Sequence, residues 1–296
     1  SEEKLKGIMK EHQFKRYSIS YDELLNDNEV DTVYVALPNH LHYSYALQAL
    51  EHHKNVILEK PFTTTLKEAI HLKEIAIKNQ LFLWEAITNQ YFPNFDAIKS
   101  RINDLGNIKI VECNFSQYSS RYNAFKEGNI LPAFDYTKAG GALMDLNIYN
   151  IHFVVGLFGK PTEVQYYPNV EKGIDTSGVL ILDYDKFKCI CIGAKDCKAP
   201  LSNNIQGDKG CIHVSSSLSI MDSFDIFMND GSSENVNINN DTHRMSDEFM
   251  AFEKMYKNND YQECYKMLEH SMIVTEVQTV ARRKAGILFP EDEIEI

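Results

Sequence analysis

Glycine is nearly missing from the first third of the chain. Of the fourteen glycines in 296 residues, Gly7 is followed by none before Gly106, so no G-x-G-x-x-G loop can cradle a phosphate there. A basic excess is missing too: 30 Lys and Arg stand against 42 Asp and Glu, a net charge of −12, which excludes a basic nucleic-acid footprint and a cationic membrane-surface protein. No apolar run approaches the ~20 residues that cross a bilayer, and the opening residues 1–10 are charged rather than shaped like a secretion signal. A soluble, cytoplasmic protein with no nucleic-acid or membrane partner is the expectation. The six cysteines, at 113, 189, 191, 197, 211 and 264, contain no C-x-x-C pair, so neither a disulfide framework nor a thiolate metal site is expected. Cys189 and Cys191 lie two apart in an apolar run and read as small hydrophobes on one face of a strand. Among the ten histidines no two are four apart beside an acid, and no metal site is expected.

What is present is an alternation of strands and helices, in a length that corresponds to about two domains. Residues 32–37 (TVYVAL) are a near-continuous β-rich apolar run ended by Pro38, as in a strand buried on both faces. A helix over 41–52, a strand over 55–58, a helix opened by the capping box of Thr65 to Glu68, and a strand over 81–84 follow. That order implies right-handed crossovers in a parallel, doubly wound sheet. Ligands of such sheets bind outside the carboxyl ends of the strands, where residues 38–42, 59–61 and 85–88 fall. From about Asn89 the rhythm changes. Helices are expected over 93–103 and 142–158, and strands over 108–118, 163–167, 179–184, 188–192, 204–206, 211–215, 224–228 and 236–239. Short turn-rich spacers such as Asn229-Asp230-Gly231 favour antiparallel pairing. Two helices close the chain. The expected fold class is α/β: a doubly wound parallel sheet over 1–88, then an α+β domain with a large antiparallel sheet over 89–296.

Two motifs carry chemistry. Glu59-Lys60-Pro61 puts a lysine at the carboxyl end of a buried strand, before a proline that stops the ladder. Gly140-Gly141 opens the segment that holds Asp145 and Tyr149, four apart and therefore on one face of a continuous helix. An acid in so apolar a segment costs free energy unless it is paired or lines a cavity.

With these motifs in this order, the chain resembles the Gfo/Idh/MocA oxidoreductases, in the branch of the trans-1,2-dihydrodiol and xylose dehydrogenases. The resemblance runs through Tyr21-Asp22-Glu23-Leu24-Leu25, Asn39-His40-Leu41-His42, Glu59-Lys60-Pro61, Trp84-Glu85-Ala86, Gly140 to Tyr149, Ile205-Gln206-Gly207-Asp208-Lys209-Gly210 and His243-Arg244-Met245. It implies a partial Rossmann domain over 1–88 and a large open antiparallel sheet in the second domain, NAD or NADP as cofactor, hydride exchange with a CH–OH or C=O group of a sugar, polyol or dihydrodiol-like substrate, and a homodimer through the second sheet. It also assigns Lys60, Asp145 and Tyr149 as catalytic, and Leu37, Pro38, Asn39, His42, Glu59 and Lys60 as cofactor-binding. A tyrosine is a poor base at neutral pH unless an ammonium stabilises its phenolate. Tyr149 is therefore expected to exchange the proton, with Lys60 supplying charge and Asp145 orienting Lys60 or a substrate hydroxyl. The reverse assignment makes Lys60 the proton donor.

Where the family commonly carries glycine, Asn147 is expected to narrow the pocket. Arg121, Tyr122, Phe134 and His152 are substrate-side candidates, ranked behind core or surface roles. In the family a strand, the glycine loop, its helix and a second strand precede the segment matching residues 1–4, whereas this chain opens on Ser1. The expectation is that this chain, taken as the whole molecule, binds dinucleotide poorly and is unstable or associates. The alternative to an enzyme is a cofactor- or sugar-binding regulator of the same fold, or an inactive truncated form.

Overall fold

The computed structural model describes residues 2–240 and 242–293. Helices α1 (Glu2–Glu11) and α2 (Tyr21–Leu25) lead into β1 (Thr32–Val35), α3 (His42–Glu51), β2 (Asn55–Glu59), α4 (Leu66–Lys78) and β3 (Leu83–Ala86). The three strands form a parallel sheet in the order β1-β2-β3, as the alternation predicts. β1 is shorter than the apolar run at 32–37, and β3 starts two residues later than the apolar pattern suggests. Glu85 thus sits inside the sheet instead of beyond its end. The full Thr65–Glu68 capping box forms at α4. β1 is an edge strand among the described residues, with Tyr34 42% exposed, and α1 buries no residue.

After α5 (Pro93–Arg101) come β4 (Ile108–Ser116), α6 (Tyr122–Lys126), α7 (Ala142–Asp145) and α8 (Asn147–Phe158). Strands β5 (Glu163–Glu171), β6 (Ile174–Asp183), β7 (Lys188–Ala194), β8 (Ser202–Gly207), β9 (Gly210–Val214), β10 (Phe224–Met228) and β11 (Ser233–Val236) follow. They build an eight-stranded sheet in the order β11-β10-β9-β8-β4-β7-β6-β5. Every pair is antiparallel except β4 with β7, so the large antiparallel sheet is there as expected, with one parallel pair inside it. Residues 117–162, with α6 to α8, and the hairpin of β5 and β6 separate β4 from β7, a crossover long enough for parallel pairing.

One face of this sheet is packed. Val111, Cys113, Leu180, Leu182, Cys189, Cys191 and Ile212 share the main core with Ile148, Ile151 and Val155 of α8, so both strand cysteines do act as buried hydrophobes. The last two helices, α9 (Ser246–Asn258) and α10 (Tyr261–Lys284), return to the first sheet. Phe252, Met255 and Cys264 pack with Ile57, Phe82 and Trp84, while Leu268 and Met272 join the core of the β1–β3 unit. No single helix among the described residues is long and apolar enough to cross a membrane, and none of their His, Cys, Asp and Glu side chains group as a metal site.

Candidate active site

The segment after Gly140 is two helices, not the continuous one expected. Leu146 interrupts it at φ −109°, ψ −47°, and the break has chemical consequences. Tyr149 N donates to Leu146 O at 3.2 Å, so the carbonyl of Asp145 is released from the ladder and accepts from Lys60 Nζ at 3.0 Å. The same ammonium donates to Asp145 Oδ1 at 3.0 Å and lies 5.1 Å from the centre of the Tyr149 ring. Lys60, Asp145 and Tyr149 thus meet at the carboxyl end of β2. A strand end and a helix pair are joined there across 85 positions of sequence.

The helix start depends on Gly141. Its φ of +104° is a conformation that L side chains rarely adopt, and a Cβ there would collide with Asp175 Oδ1. The close approach lets Asp175 Oδ2 accept from Leu143 N at 2.7 Å, placing an anion at the N-terminus of α7, while Tyr166 donates its hydroxyl at 2.7 Å. Burial pushes the Asp175 carboxyl up to about 6.

A second lysine stands at this site, one the motifs do not mark. Lys195 is 2% exposed; its Nζ donates to Asp145 Oδ2 and to Ala133 O, both at 2.7 Å, and lies 4.6 Å from the centre of the Phe134 ring. Asp145 is therefore held between two ammonium groups. Burial alone would raise its carboxyl, but Lys60 and Lys195 hold it well below the usual carboxylate range. The two lysines respond differently. Burial works against the Lys60 charge, yet Asp145, Tyr149 and Glu59 outweigh it and keep Lys60 above the ordinary lysine value. For Lys195 burial wins, reinforced by the positive charge of Lys60, and its pKa is lowered. The sequence held one signal for Lys195: it shares the parity of the buried Cys189 and Cys191, so β7 aims it at the packed face.

Leu37 and Pro38 are exposed beyond β1, and Asn39 Nδ2 donates to Ala139 O at 2.8 Å, linking that loop to the segment before α7. Glu59 accepts from the Tyr34 hydroxyl and, at 3.2 Å, from Lys60 N. His42 is placed otherwise than expected. It is fully buried, with Nδ1 2.8 Å from Pro61 O and Nε2 2.8 Å from Leu37 O. Its ring lies between the two loops, and because burial lowers its pKa the neutral imidazole donates its single N–H to one of these two carbonyls.

Asn147 does not narrow the pocket either. It turns into the sheet, donating to Cys191 O at 3.1 Å and accepting from Asn150 at 2.8 Å, and it needs Gly193 opposite, where a Cβ would come within 2.7 Å of its own. Of the substrate-side candidates, Phe134 lies buried under Lys195, Tyr122 donates to Glu171 at 2.6 Å, and Arg121 is exposed. His152 is buried between His270, at 2.9 Å, and Glu85, at 3.3 Å. Core and surface roles account for all four.

On α9, Glu248 is 1% exposed with no hydrogen-bond partner on either carboxylate oxygen among the described residues. Burial, with Glu59 and Glu85 nearby, pushes it up to about 8. A raised carboxyl contributes stability that is complete below its unfolded pKa and is lost as pH rises through the folded value. Glu248→Gln removes that loss. Urea melts at pH 9 are expected to find the variant more stable by more than ~1 kcal/mol, the difference shrinking as pH falls toward 4.

Family models match both halves of the chain. The NAD-binding Rossmann-fold model of the GFO/IDH/MocA oxidoreductase family covers residues 1–87, and the GFO/IDH/MocA C-terminal domain covers 96–213. The scyllo-inositol 2-dehydrogenase (NADP(+)) IolU of Bacillus subtilis is 33% identical over 264 residues, 89% of this chain and 80% of that protein. The D-xylose 1-dehydrogenase (NADP(+)) of Hypocrea jecorina is 32% identical over 235 residues, 72% of this chain and 60% of its own. In fold, an inositol dehydrogenase homolog of Azotobacter vinelandii, solved with NADH and myo-inositol, superposes with a TM-score of 0.75 at 14% identity, over 90% of this chain and 79% of that one. The chain belongs to the Gfo/Idh/MocA family of NAD(P)-dependent oxidoreductases.

Proposed function

We propose that the protein moves hydride between NAD(P) and a CH–OH or C=O carbon of an inositol- or sugar-like polyol, with Lys60, Asp145 and Tyr149 handling the proton. The observation that carries this reading is the Lys60 ammonium lying 3.0 Å from Asp145 Oδ1 and 5.1 Å from the Tyr149 ring centre. The relatives that act on scyllo-inositol, xylose and dihydrobenzenediol support the substrate class.

The side chains beyond the carboxyl ends of β1 and β2 suit the nicotinamide end of a dinucleotide. Leu37 and Pro38 are open to solvent, Glu59 offers carboxylate acceptors to ribose hydroxyls, and the Lys60 side chain keeps 17% of its surface exposed. The bound nicotinamide supplies the hydride chemistry; the protein supplies position and a proton path. Two of the three N–H groups of Lys60 go to Asp145. The third is available to the Tyr149 hydroxyl or to the reacting oxygen of the substrate. Because Lys60 is held above the ordinary lysine value, it carries its proton at neutral pH and suits a donor to the alkoxide that forms when a carbonyl is reduced. In the oxidative direction the same step runs backward, with the neutral Lys60 amine taking the proton of the substrate hydroxyl beside the Tyr149 ring, whose centre lies 5.1 Å from Nζ.

The direct test is the rise of reduced-nicotinamide absorbance when the protein is mixed with NADP or NAD and a panel of inositols, pentoses and dihydrodiols. Turnover of at least one cyclitol or sugar is expected. No turnover with any of them, alongside quenching of added NADPH fluorescence, would replace the enzyme reading by a binding one.

The dimer belongs to the same proposal. The outer face of the eight-stranded sheet carries Ile110, Tyr167 and Phe227 at 44%, 59% and 46% exposure, an apolar scatter on a broad open face that a second copy would cover. Light scattering is expected to give twice the 34.0 kDa of one chain. Ile110→Arg, in the central strand β4, should return the mass of one chain, and a monomeric parent would end this part of the proposal.

A further inference from the structure

Lys195 cannot touch a substrate at 2% exposure, yet it takes one whole oxygen of a carboxylate on which Lys60 depends. The charges alternate inward from the crevice: Lys60, then Asp145, then Lys195, with Asp175 acting on Lys195 from β6. We propose, building on the role assigned to Lys60 above, that Lys195 is a positioning residue that fixes the Asp145 carboxylate through Oδ2 and divides its charge. In doing so it sets the pH at which Lys60 releases its proton.

Three features support this. The anchor is rigid: Lys195 N donates to Thr176 O at 2.8 Å, its carbonyl accepts from Ser119 N at 2.8 Å, and its Nζ is further held by Ala133 O and the Phe134 ring. The sharing is geometric, since Oδ1 faces Lys60 at 3.0 Å and Oδ2 faces Lys195 at 2.7 Å. The carboxylate plane is thereby defined at both ends, and Lys60 is pinned independently by the Asp145 carbonyl. The charge effect also has one sign. An anion that serves two cations stabilises each less than it would alone, and a nearby like charge disfavours protonation. Loss of Lys195 therefore raises the pH at which Lys60 deprotonates.

The groups that act on this ladder are few. Glu59 and Tyr149 face Lys60; Asp145, Asp175 and Lys60 act on Lys195; Tyr166 and Leu143 N bond Asp175; and Asp196 follows Lys195 in sequence. Asp175 supplies a control of opposite sign. Asp175→Asn keeps the shape, and an amide can still meet Leu143 N and Tyr166, but it removes an anion that offsets Lys195. The uncompensated Lys195 charge then makes Lys60 deprotonate at lower pH.

The test needs no turnover. The protein is acylated briefly with an amine reagent across pH 7–11, and the Lys60 peptide is quantified by mass spectrometry. In Lys195→Met the midpoint of Lys60 labelling is expected to move to higher pH, with labelling at pH 9 reduced about threefold or more. In Asp175→Asn it should move to lower pH, and Lys195→Arg should restore the parent midpoint. An unmoved midpoint in Lys195→Met, or movement of both variants in the same direction, overturns the proposal. If circular dichroism shows Lys195→Met unfolded, the other two variants decide: Asp175→Asn moving upward or not at all is equally fatal. Lys60 labelling that obeys this pattern in a protein that turns over no polyol would sink the proposed function alone. An active protein whose Lys60 midpoint ignores Lys195 would sink only this inference.

Discussion

Lys60→Met is expected to lower kcat/KM by about a thousandfold or more, within the range by which a positioned proton donor accelerates a reaction, while the folded protein persists. The second half of that expectation follows from the site itself. Methionine keeps the length of the side chain, and Asp145 retains Lys195 at 2.7 Å, so no carboxylate is stranded without a cation. Circular dichroism is expected to stay close to the parent. The loss should fall on kcat as well as on kcat/KM, because the interaction removed matters most where charge develops on the reacting oxygen. A variant within tenfold of the parent would remove Lys60 from the chemistry.

Arg282→Met is expected to cost about 3–5 kcal/mol of stability, the typical effect of removing one member of a buried ion pair. Arg282 is 1% exposed on α10, and its guanidinium pairs bidentately with Asp292, the Nη2 to Oδ1 bond measuring 2.7 Å. It also donates from Nη2 to Thr64 O at 2.9 Å and lies 4.2 Å from the centre of the Phe289 ring. One side chain thus fastens the tail at Asp292 and the loop that runs from Lys60 and Pro61 into α4. Burial pushes against the Asp292 charge, but Arg282 and the Phe289 N–H hold its pKa below the usual value. A depressed carboxyl contributes stability above its unfolded pKa that is lost as pH falls through the folded value. The gap between parent and variant should therefore narrow below about pH 4. Urea unfolding at pH 7 checks the magnitude, and a difference under ~1 kcal/mol would mean the pair is not what holds the loop.

The sequence made the cluster of Lys60, Asp145 and Tyr149 legible because its parts are local. A lysine at a strand end and an acid and tyrosine four apart can each be read from a few neighbouring residues, and the fold brings the three together as spaced. The parallel sheet was equally visible in its order of strands and helices, but of its three strands only β2 and β3 are buried on both faces; the edge strand β1 alternates, with Tyr34 turned outward. The features that escaped are those decided by partners far along the chain. The break at Leu146 is stabilised by Lys60 taking the Asp145 carbonyl and by Asn147 bonding Cys191 O, neither of which local propensity registers. The parallel pairing of β4 with β7 depends on a long crossover that strand patterns cannot order. Lys195 is one lysine after an apolar run, and only the parity of β7 hints that it points inward. His42 sits within a motif that implies contact with cofactor, yet its burial is fixed by Pro61 O and Leu37 O, two carbonyls whose positions are tertiary.

The central claim, hydride exchange with NAD(P) governed by Lys60, Asp145 and Tyr149, is tested most directly by following the label. The protein is incubated with NADP and a cyclitol or sugar deuterated at its carbinol carbons, and the reduced nicotinamide is analysed by mass spectrometry. Deuterium on the nicotinamide ring with the parent, and its near absence with Lys60→Met, is the predicted result. Deuterium transferred equally by both proteins, or by neither, would contradict it.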